Sequence, residues 1–349
     1  MVKADGTDDL AEFLRSLGAS AAQIDVARSN LHLAGLATDL ILAEGATLSA
    51  TDLAERAGVE VELVLGLWRM LGVIVPDEHR PMFSEKDADV TALAIQLKPG
   101  GSHGDELFRV LGGSLARVAE AAVSLYVQTV EPMVDSPQAD KVIWAKDVAE
   151  TTSIALKLFD SMGTIFAHHM RDAIDRQRAA QTEVPERSLF RLAVGFIDLV
   201  GFTPLSQYAA PTDLLELIGG FEARAFEVAS AHDGRIVKHI GDEVMFVALD
   251  AAAACAIADA LTHDHSEGIE PRGGVAFGDV ITRHGDYYGP VVNLASRLAD
   301  LAIPREVLVD AAATSAAGDA FSFRPAGHRL LKGFDVPVEV FSLGVAPTP

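Results

Sequence analysis

The hydrophobic pattern of this chain changes near Leu189, and the change restricts the folds that it can adopt. Before that point, apolar residues recur at helical spacing in three stretches, which indicates amphipathic helices. The stretches run through Leu10, Phe13, Leu14 and Leu17, through Leu107, Val110, Leu111 and Leu115, and through Leu156, Phe159, Met162, Ile165 and Phe166. The first half of the chain is therefore predicted to be all-α.

After Leu189, short apolar runs that are typical of strands alternate with helical segments. The predicted strands are LFRLAVGFID, GRIVKHI, EVMFVAL, RGGVAFGDVIT and EVLVDA, and the predicted helices are TDLLELIGGFEARAFEVAS, AAAACAIADALTH and GPVVNLASRLADLA. Thr212 is expected to cap the first of these helices, and Pro290 to lie near the start of the last. The order strand–helix–strand–strand–helix–strand predicts a ferredoxin-like α+β sandwich with helices covering one face of the sheet.

These patterns predict two domains joined by a linker. The helical domain is expected over residues 1–170 and the α+β ferredoxin-like domain over residues 188–349. Residues 171–187 are polar and contain Pro185, so they are interpreted as a helix tail followed by a linker.

The overall charge bears on the partners that the chain can have. Its 349 residues include 28 Lys and Arg against 50 Asp and Glu, a formal charge of −22. Such a chain is repelled by nucleic acid and by anionic lipid, so neither is expected as a partner. The single cysteine, Cys255, fits a reducing compartment, and the acidic start does not resemble a signal peptide. With no uninterrupted apolar run near 18 residues, no membrane span and a cytoplasmic location are predicted.

A segment in the first half, LSATDLAERAGVEVELVLGLWRMLG, has the pattern of a helix-turn-helix over about residues 50–72, with Ala57-Gly58-Val59 at the turn. This pattern raises the alternative that the protein is a DNA-binding regulator. Glu60 and Glu62 begin the second helix, where a DNA reader would face phosphates, and acidic residues outnumber basic ones around it. A packing role is favoured for that reason.

Two aspartates follow strands of the predicted sheet. Asp198 ends the first strand in FIDLVGFT, and Asp242 lies at the tip of a hairpin in VKHIGDEVMFV. Because the first strand and this hairpin are adjacent in the ferredoxin-like order, both carboxylates are expected at one edge of the sheet. Two such carboxylates suit a pair of Mg²⁺ or Mn²⁺ ions when phosphates supply the other ligands. The Gly-Phe-Thr after Asp198 offers main-chain N–H groups to phosphate.

Together with GDYYGPVVNLASRL, these motifs resemble the class III nucleotidyl cyclases over about Ser188 to Val345. The resemblance implies that the chain converts ATP to 3′,5′-cyclic AMP and pyrophosphate, at sites shared across a homodimer with two Mg²⁺ or Mn²⁺ ions each. It implies three groups of site residues. The metal ligands would be Asp198, Asp242 and Leu199, the transition-state residues Asn293 and Arg297, and the substrate-binding residues Lys238, Asp286, Arg272, Phe202 and Thr203.

The resemblance also implies a choice of base. A lysine donor at Lys238 suits N1 of adenine, and an aspartate acceptor at Asp286 suits the 6-amino group, whereas guanine carries the opposite pattern. ATP is therefore expected over GTP. A catalytically silent, nucleotide-binding homologue is the remaining alternative. The closing LLKGF segment lacks a further basic residue that some members have, so no phosphate-binding role is assigned to Lys332.

The whole chain resembles soluble bacterial adenylyl cyclases with an N-terminal helical domain that inhibits the catalytic one. The resemblance implies control by pH, and a lipid-like ligand in the apolar interior of the first domain. His168 and His169 precede the linker, and histidine is the side chain that charges between pH 5 and 8. The hypothesis is that their protonation switches the linker between helical and unwound states. Ordinary exposed histidines are the alternative.

Overall fold

The computed structural model describes residues 6–30, 33, 35–97, 102–129, 141–180, 189–263 and 270–344. It divides into two compact units, Met1–Ala167 and His168–Pro349. Each unit has buried apolar clusters of its own, so each is described by itself.

The first unit is helical in its described part. Its helices are α1 (Gly6–Ser16), α2 (Ala21–Ser29), α3 (Leu36–Leu42), α4 (Ala50–Ala57), α5 (Val61–Met70), α6 (Glu85–Gln96), α7 (Ser102–Thr129), α8 (Lys141–Asp160) and the start of α9 (Met162–Ala180). Leu10 and Leu14 of α1 are buried against α2, α3 and α8, as the helical spacing predicts. Three of the helices begin with a serine capping box, at Ser20, Ser49 and Ser84, which satisfies free N–H groups of the first turn.

Helices α4 and α5 form the helix-turn-helix element. Gly58 ends α4 in the left-handed region at φ 66°, which glycine adopts without steric cost. Trp68 of α5 is buried and donates through Nε1 to Thr91 Oγ1 of α6 at 3.2 Å. Glu60 and Glu62 are exposed at the start of α5, where negative charge stabilises a helix through its dipole. Their position has a local explanation that needs no nucleic acid.

The last two apolar stretches of the first half are helical, but their apolar side chains are not buried as the helical spacing suggests. Leu107, Leu111 and Leu115 of α7 are 44–59% exposed. Among the described residues one helix, over Asp105–Val127 of α7, is long and apolar enough to cross a membrane; this is weak evidence, because core helices pass the same test. The stretch from Leu156 to Phe166 is divided at Ser161, between α8 and α9.

The second unit is built on a sheet of eight strands. Its elements are β1 (Leu189–Val200), α10 (Phe202–Ser206), α11 (Pro211–Ala231), β2 (Gly234–Ile240), β3 (Glu243–Ala248), α12 (Ala251–His263), β4 (Glu270–Arg283), β5 (Asp286–Tyr288), α13 (Pro290–Leu301), β6 (Val307–Asp310), α14 (Ala311–Ala317), β7 (Ser322–Arg329) and β8 (Val338–Gly344). The sheet order is β2-β3-β1-β4-β6-β8-β7, and β5 pairs with β4. The first four strands have the ferredoxin-like order, which confirms the predicted fold class.

Helices cover both faces of the sheet, so the expectation of one covered face is wrong. Helices α11, α12 and α14 pack on the face that includes Ile197 and Phe246. Helix α13 packs through Ala295 and Ala299 on the opposite face. Strand β1 supplies buried residues to both faces because it lies inside the sheet, between β3 and β4.

The predicted cap of α11 is also wrong. The helix begins at Pro211 and its N-cap is Ala210, so Thr212 lies inside the first turn and makes no capping bond. The fixed φ of proline favours the first helical position, and it sets the start two residues earlier than threonine capping would.

Candidate active site

Asp198 and Asp242 lie beside each other at one edge of the sheet. Asp198 stands opposite Glu243 of β3 and opposite Arg272 of β4 in the strand register. Asp242 immediately precedes Glu243, in the two-residue turn that joins β2 to β3. Gly241 shapes this turn with φ 66°. The edge therefore carries three neighbouring carboxylates.

Burial and neighbouring negative charge disfavour the ionised forms of Asp242 and Glu243. The pKa of Asp242 is raised, chiefly by burial and further by the negative charge of Asp198. The pKa of Glu243 is raised to about 7, first by burial and then by Asp198, Asp300 and Asp242. Arg272 acts against both shifts. A cation at this edge would relieve the repulsion.

Arg272 connects the carboxylate edge to helix α13. Its Nε and Nη2 donate to Oδ2 of Asp198 at 2.9 and 2.7 Å. Its Nη1 donates to the main-chain oxygens of Asp300 at 2.8 Å and Ala302 at 3.3 Å. A single guanidinium thus uses its fork of donors to link the end of β1 with the end of α13.

The donor set fits a divalent cation that shares its coordination with substrate. Among the described residues, no group of three or more His, Cys, Asp and Glu side chains could hold a metal alone. Asp198 and Asp242 offer hard carboxylate oxygens, which Mg²⁺ and Mn²⁺ prefer, and such ions keep sites for phosphate and water. The Leu199 side chain is buried and apolar, so this residue could contribute only its main-chain oxygen.

Lys238 and Asp286 are 48 residues apart in the chain and lie in direct contact. Lys238 Nζ of β2 donates to Asp286 Oδ2 at the start of β5. Asp286 is placed there by the β4–β5 hairpin, whose turn residues, His284 and Gly285, have φ 57° and 77°. The main-chain N–H of Tyr287 donates to Asp286 Oδ1 at 2.8 Å. A donor and an acceptor are therefore held side by side.

A cavity of about 500 Å³ lies next to Asp286. Phe190, Leu192 and Val247 are among its apolar lining residues, and Arg235 is among its basic ones. Its lining does not include Asp198, Asp242, Asn293 or Arg297. Asp286 and the acidic edge are thus not lining residues of one common cavity.

Asn293 and Arg297 lie one turn apart on α13. Arg272 connects this helix to the carboxylate edge, because it binds both Asp300 and Asp198. Asn293 is exposed, and Arg297 Nη1 donates to Oδ2 of Asp300 at 2.7 Å. Proline at the first position of α13 fixes the start of this helix.

The remaining predicted site residues lie outside these contacts. Phe202 is half-buried at the start of α10, after Gly201 at φ 87°. The side chain of Thr203 is outside the described part of the chain. His168 and His169 are exposed on α9.

Two acidic residues at this site were missed by the sequence reasoning. Glu243 follows Asp242 directly, and its pairing with Asp198 depends on the register of β1 and β3. Asp300 is three residues after Arg297, a helical spacing that allows an ion pair. The spacing of Arg297 and Asp300 could therefore have been recognised in the sequence, whereas the pairing of Glu243 could not.

Comparisons with known families match nearly the whole chain in two parts. Residues 184–344 match the adenylate and guanylate cyclase catalytic domain, and residues 3–174 match the adenylate cyclase regulatory domain.

Three relatives are similar to this chain over most of its length. An uncharacterized protein of Mycobacterium tuberculosis is 31% identical over 344 residues, 96% of this chain and 89% of that protein. An adenylate cyclase of Streptomyces coelicolor is 33% identical over 78% of this chain and 72% of its own length. A pH-sensitive adenylate cyclase of Mycobacterium tuberculosis is 29% identical over 95% of this chain and 86% of its own length.

Proposed function

We propose that this chain, which belongs to the adenylate and guanylate cyclase family, is an adenylate cyclase that forms 3′,5′-cyclic AMP and pyrophosphate from ATP. The observation that carries the choice of substrate is the contact between Lys238 and Asp286. A lysine N–H donor beside a carboxylate acceptor matches N1 and the 6-amino group of adenine. Guanine would place a donor against the lysine and an acceptor against the carboxylate, which leaves both groups unpaired.

Asp198 and Asp242 would hold the divalent cations, with the main-chain oxygen of Leu199 as a further ligand. When bound, the cations lower the pKa of the ribose 3′-hydroxyl and neutralise charge on the phosphates. Asp198 is half-buried and would accept the proton that leaves the hydroxyl. Arg272, already in contact with Asp198, would bind the terminal phosphates.

The reaction would join two groups of one molecule, because the 3′-hydroxyl attacks the α-phosphorus and pyrophosphate leaves. Holding ATP in the bent conformation therefore supplies much of the rate enhancement. Asn293 would orient the ribose. Arg297 would stabilise negative charge that develops on the α-phosphoryl oxygens.

The active site would be shared by two copies of the chain. Each copy would give the acidic edge to one site, and the Lys238–Asp286 pair with Asn293 and Arg297 to the other. The support is that the cavity beside Asp286 does not include the acidic edge, and that Arg297 is paired with Asp300. A homodimer would thus carry two equivalent sites.

The helical half would regulate the catalytic half, with pH as the signal through His168 and His169. The name of the pH-sensitive relative supports this assignment. A cavity of about 440 Å³ in the helical unit, lined by Phe13, Leu17 and Leu40 with Lys146 among the polar residues, would be the site of a lipid-like ligand. Native mass spectrometry that finds no lipid on the purified protein would contradict this last assignment.

Two measurements test the catalytic proposal. Purified protein is incubated with ATP or GTP and with Mn²⁺ or Mg²⁺, and cyclic nucleotide is measured; cyclic AMP from ATP is expected. Asp198→Ala and Arg297→Ala are then assayed alone and mixed. Each should be inactive alone, and the mixture should recover activity through one intact site per mixed dimer. Mixed dimers that stay inactive would exclude the shared site.

A further inference from the structure

Helix α13 carries an acidic residue where helix electrostatics disfavour it. Asp300 lies in the last turn, next to the final helical residue Leu301, and α13 has no basic residue in that turn. Carboxylates near a helix C-terminus oppose the dipole, at a cost of about 0.3–1 kcal/mol. The local energetics of the helix therefore do not explain Asp300.

Two arginines converge on Asp300. Its carboxylate accepts from Arg297 at 2.7 Å, and its main-chain oxygen accepts from Arg272 at 2.8 Å. Arg272 in turn binds Asp198 with its other donors. Asp300 therefore touches both Arg297 and Arg272, the arginine that binds Asp198 at the acidic edge.

Stability does not account for the Arg297–Asp300 pair either. The two side chains are 39% and 56% exposed. Exposed ion pairs three residues apart on a helix contribute at most about 1 kcal/mol, and many contribute nothing measurable. The pair is too weak to matter for the fold.

We propose that Asp300 is a positioning residue for Arg297, an inference that rests on the function proposed above. An arginine side chain gives up about 2 kcal/mol of rotamer entropy when it is fixed. The ion pair restricts Arg297 before ATP binds. It occupies Nη1 and leaves the other donors of the guanidinium for the α-phosphoryl oxygens. Because Arg297 acts on charge that develops in the transition state, Asp300 affects kcat and not the binding of ATP.

The test compares Asp300→Ala with Asp300→Glu in the full chain. We expect kcat of the alanine variant to fall about tenfold, with KM for ATP changed less than about twofold, and the glutamate variant to recover most of kcat. The melting temperature should stay within about 2 °C of wild type, since the pair adds little stability. Glu227→Ala, which removes a similar pair with Arg224 on α11, is the matched control and should keep wild-type kcat.

Mixing assigns Asp300 to one half of the site. Asp300→Ala mixed with Asp198→Ala should recover full turnover in one site, because the Asp198→Ala copy still holds its own Arg297 correctly. Mixed with Arg297→Ala, it should recover nothing beyond its own residual activity. Equal recovery in both mixtures, or an alanine variant with wild-type kcat, would overturn the positioning role.

A readout without substrate separates this inference from the proposed function. The side-chain Nε–H NMR signal of Arg297 should shift in Asp300→Ala and return towards wild type in Asp300→Glu. A wild-type protein that makes no cyclic AMP would refute the proposed function. An active wild type whose Arg297 signal ignores Asp300 would refute only the positioning role.

Discussion

At the scale of single residues, the pair that we propose to read the base, Lys238 and Asp286, is already in contact before any nucleotide is bound. Lys238 and Asp286 satisfy each other, with side chains 39% and 23% exposed. A base that enters must offer groups at least as good, because each unpaired buried polar group costs about 1–3 kcal/mol. Adenine does so and guanine does not, so under the proposed function the pair would act as a filter as well as a binding site.

Asp286→Asn should weaken this filter. The amide can donate to O6 of guanine as well as accept from adenine, so the ratio of kcat/KM for ATP to that for GTP should fall by about tenfold or more. Steady-state kinetics with both nucleotides measure the ratio. Asp279→Asn, which alters an exposed ion pair with Arg191, is the control and should leave it unchanged. An unchanged ratio in Asp286→Asn would argue against base reading at this position.

Glu243 should make the metal-free protein less stable as pH rises. Its pKa is about 7 in the fold, above the ordinary value of 4.5 that it regains on unfolding. Between these values the folded chain keeps a proton that the unfolded chain releases. The contribution of Glu243 to the free energy of unfolding is therefore fully present below about pH 4.5, and it is lost as pH rises through about 7.

Urea unfolding at pH 5, 6 and 7 with a chelator measures this dependence. Glu243→Gln should flatten the decline, while Glu339→Gln, at an exposed position on β8, should keep it. The same slope in Glu243→Gln as in wild type would show that another group is responsible.

The resemblance to the cyclase family was enough to find residues that the structure brings together, and not enough for the groups around them. It pairs Lys238 with Asp286, and their side chains are in contact. The bond between Arg272 and Asp198 was not predicted, because it depends on the register of β1 against β4. Register follows from packing over whole strands, which a short motif does not report.

At the scale of elements, α13 lies against β4 through a glycine. A Cβ at Gly274 would come within 2.3 Å of main-chain atoms of Ala295 and Ala299. Main-chain atoms cannot move aside as a side-chain tip can, so only glycine permits this approach. The position of Asn293 and Arg297 thus depends on a residue that touches no substrate.

Gly274→Ala should displace α13 and abolish most of the activity, with a loss of about 1–3 kcal/mol in the free energy of unfolding. Denaturant unfolding and cyclase assays measure the two effects. Gly220→Ala, at an exposed position inside α11 with open space around it, is the matched control. It should gain about 0.5–1 kcal/mol and keep activity. A fully active Gly274→Ala would mean that α13 can shift without consequence.

Sequence periodicity predicted five strands and three helices of the second unit, and it missed α10, β5, α14, β7 and β8. β5 has three residues, and its His-Gly turn is not among the usual hairpin pairs, so it was not predicted. The packing of a helix on the second face of the sheet was not predicted. Helix α13 is amphipathic whichever face it packs on, and only the topology decides which face that is. The exposed apolar residues of α7 show that spacing predicts a helix and not what covers it.

At the scale of the whole molecule, control by pH should be separable from the titration of the catalytic unit. Replacing His168 and His169 together with alanine should remove a rise in activity between pH 7.5 and 5.5, because histidine is the side chain that charges between pH 5 and 8. Glu243 is present in every variant, so its own titration cancels in the comparison. His328→Ala, on β7, is the control and should keep the wild-type profile.

A shortened chain that begins near Glu186 extends this measurement. It should show the same profile as the double histidine variant, without the rise in acid. If the full chain and the shortened one gave one profile, the helical half would not respond to pH.

Strand β1 limits how any signal can reach Asp198. The strand begins at Leu189 and runs about 30 Å to that aspartate, paired along its length with β4 and over its second half with β3. A pull on its first residue cannot slide it, since a slip of one position would break two ladders and turn Asp198 to the other face. Strand β1 therefore cannot slide between β3 and β4, so a regulatory signal that acts through β1 has to move the three strands together as a rigid unit.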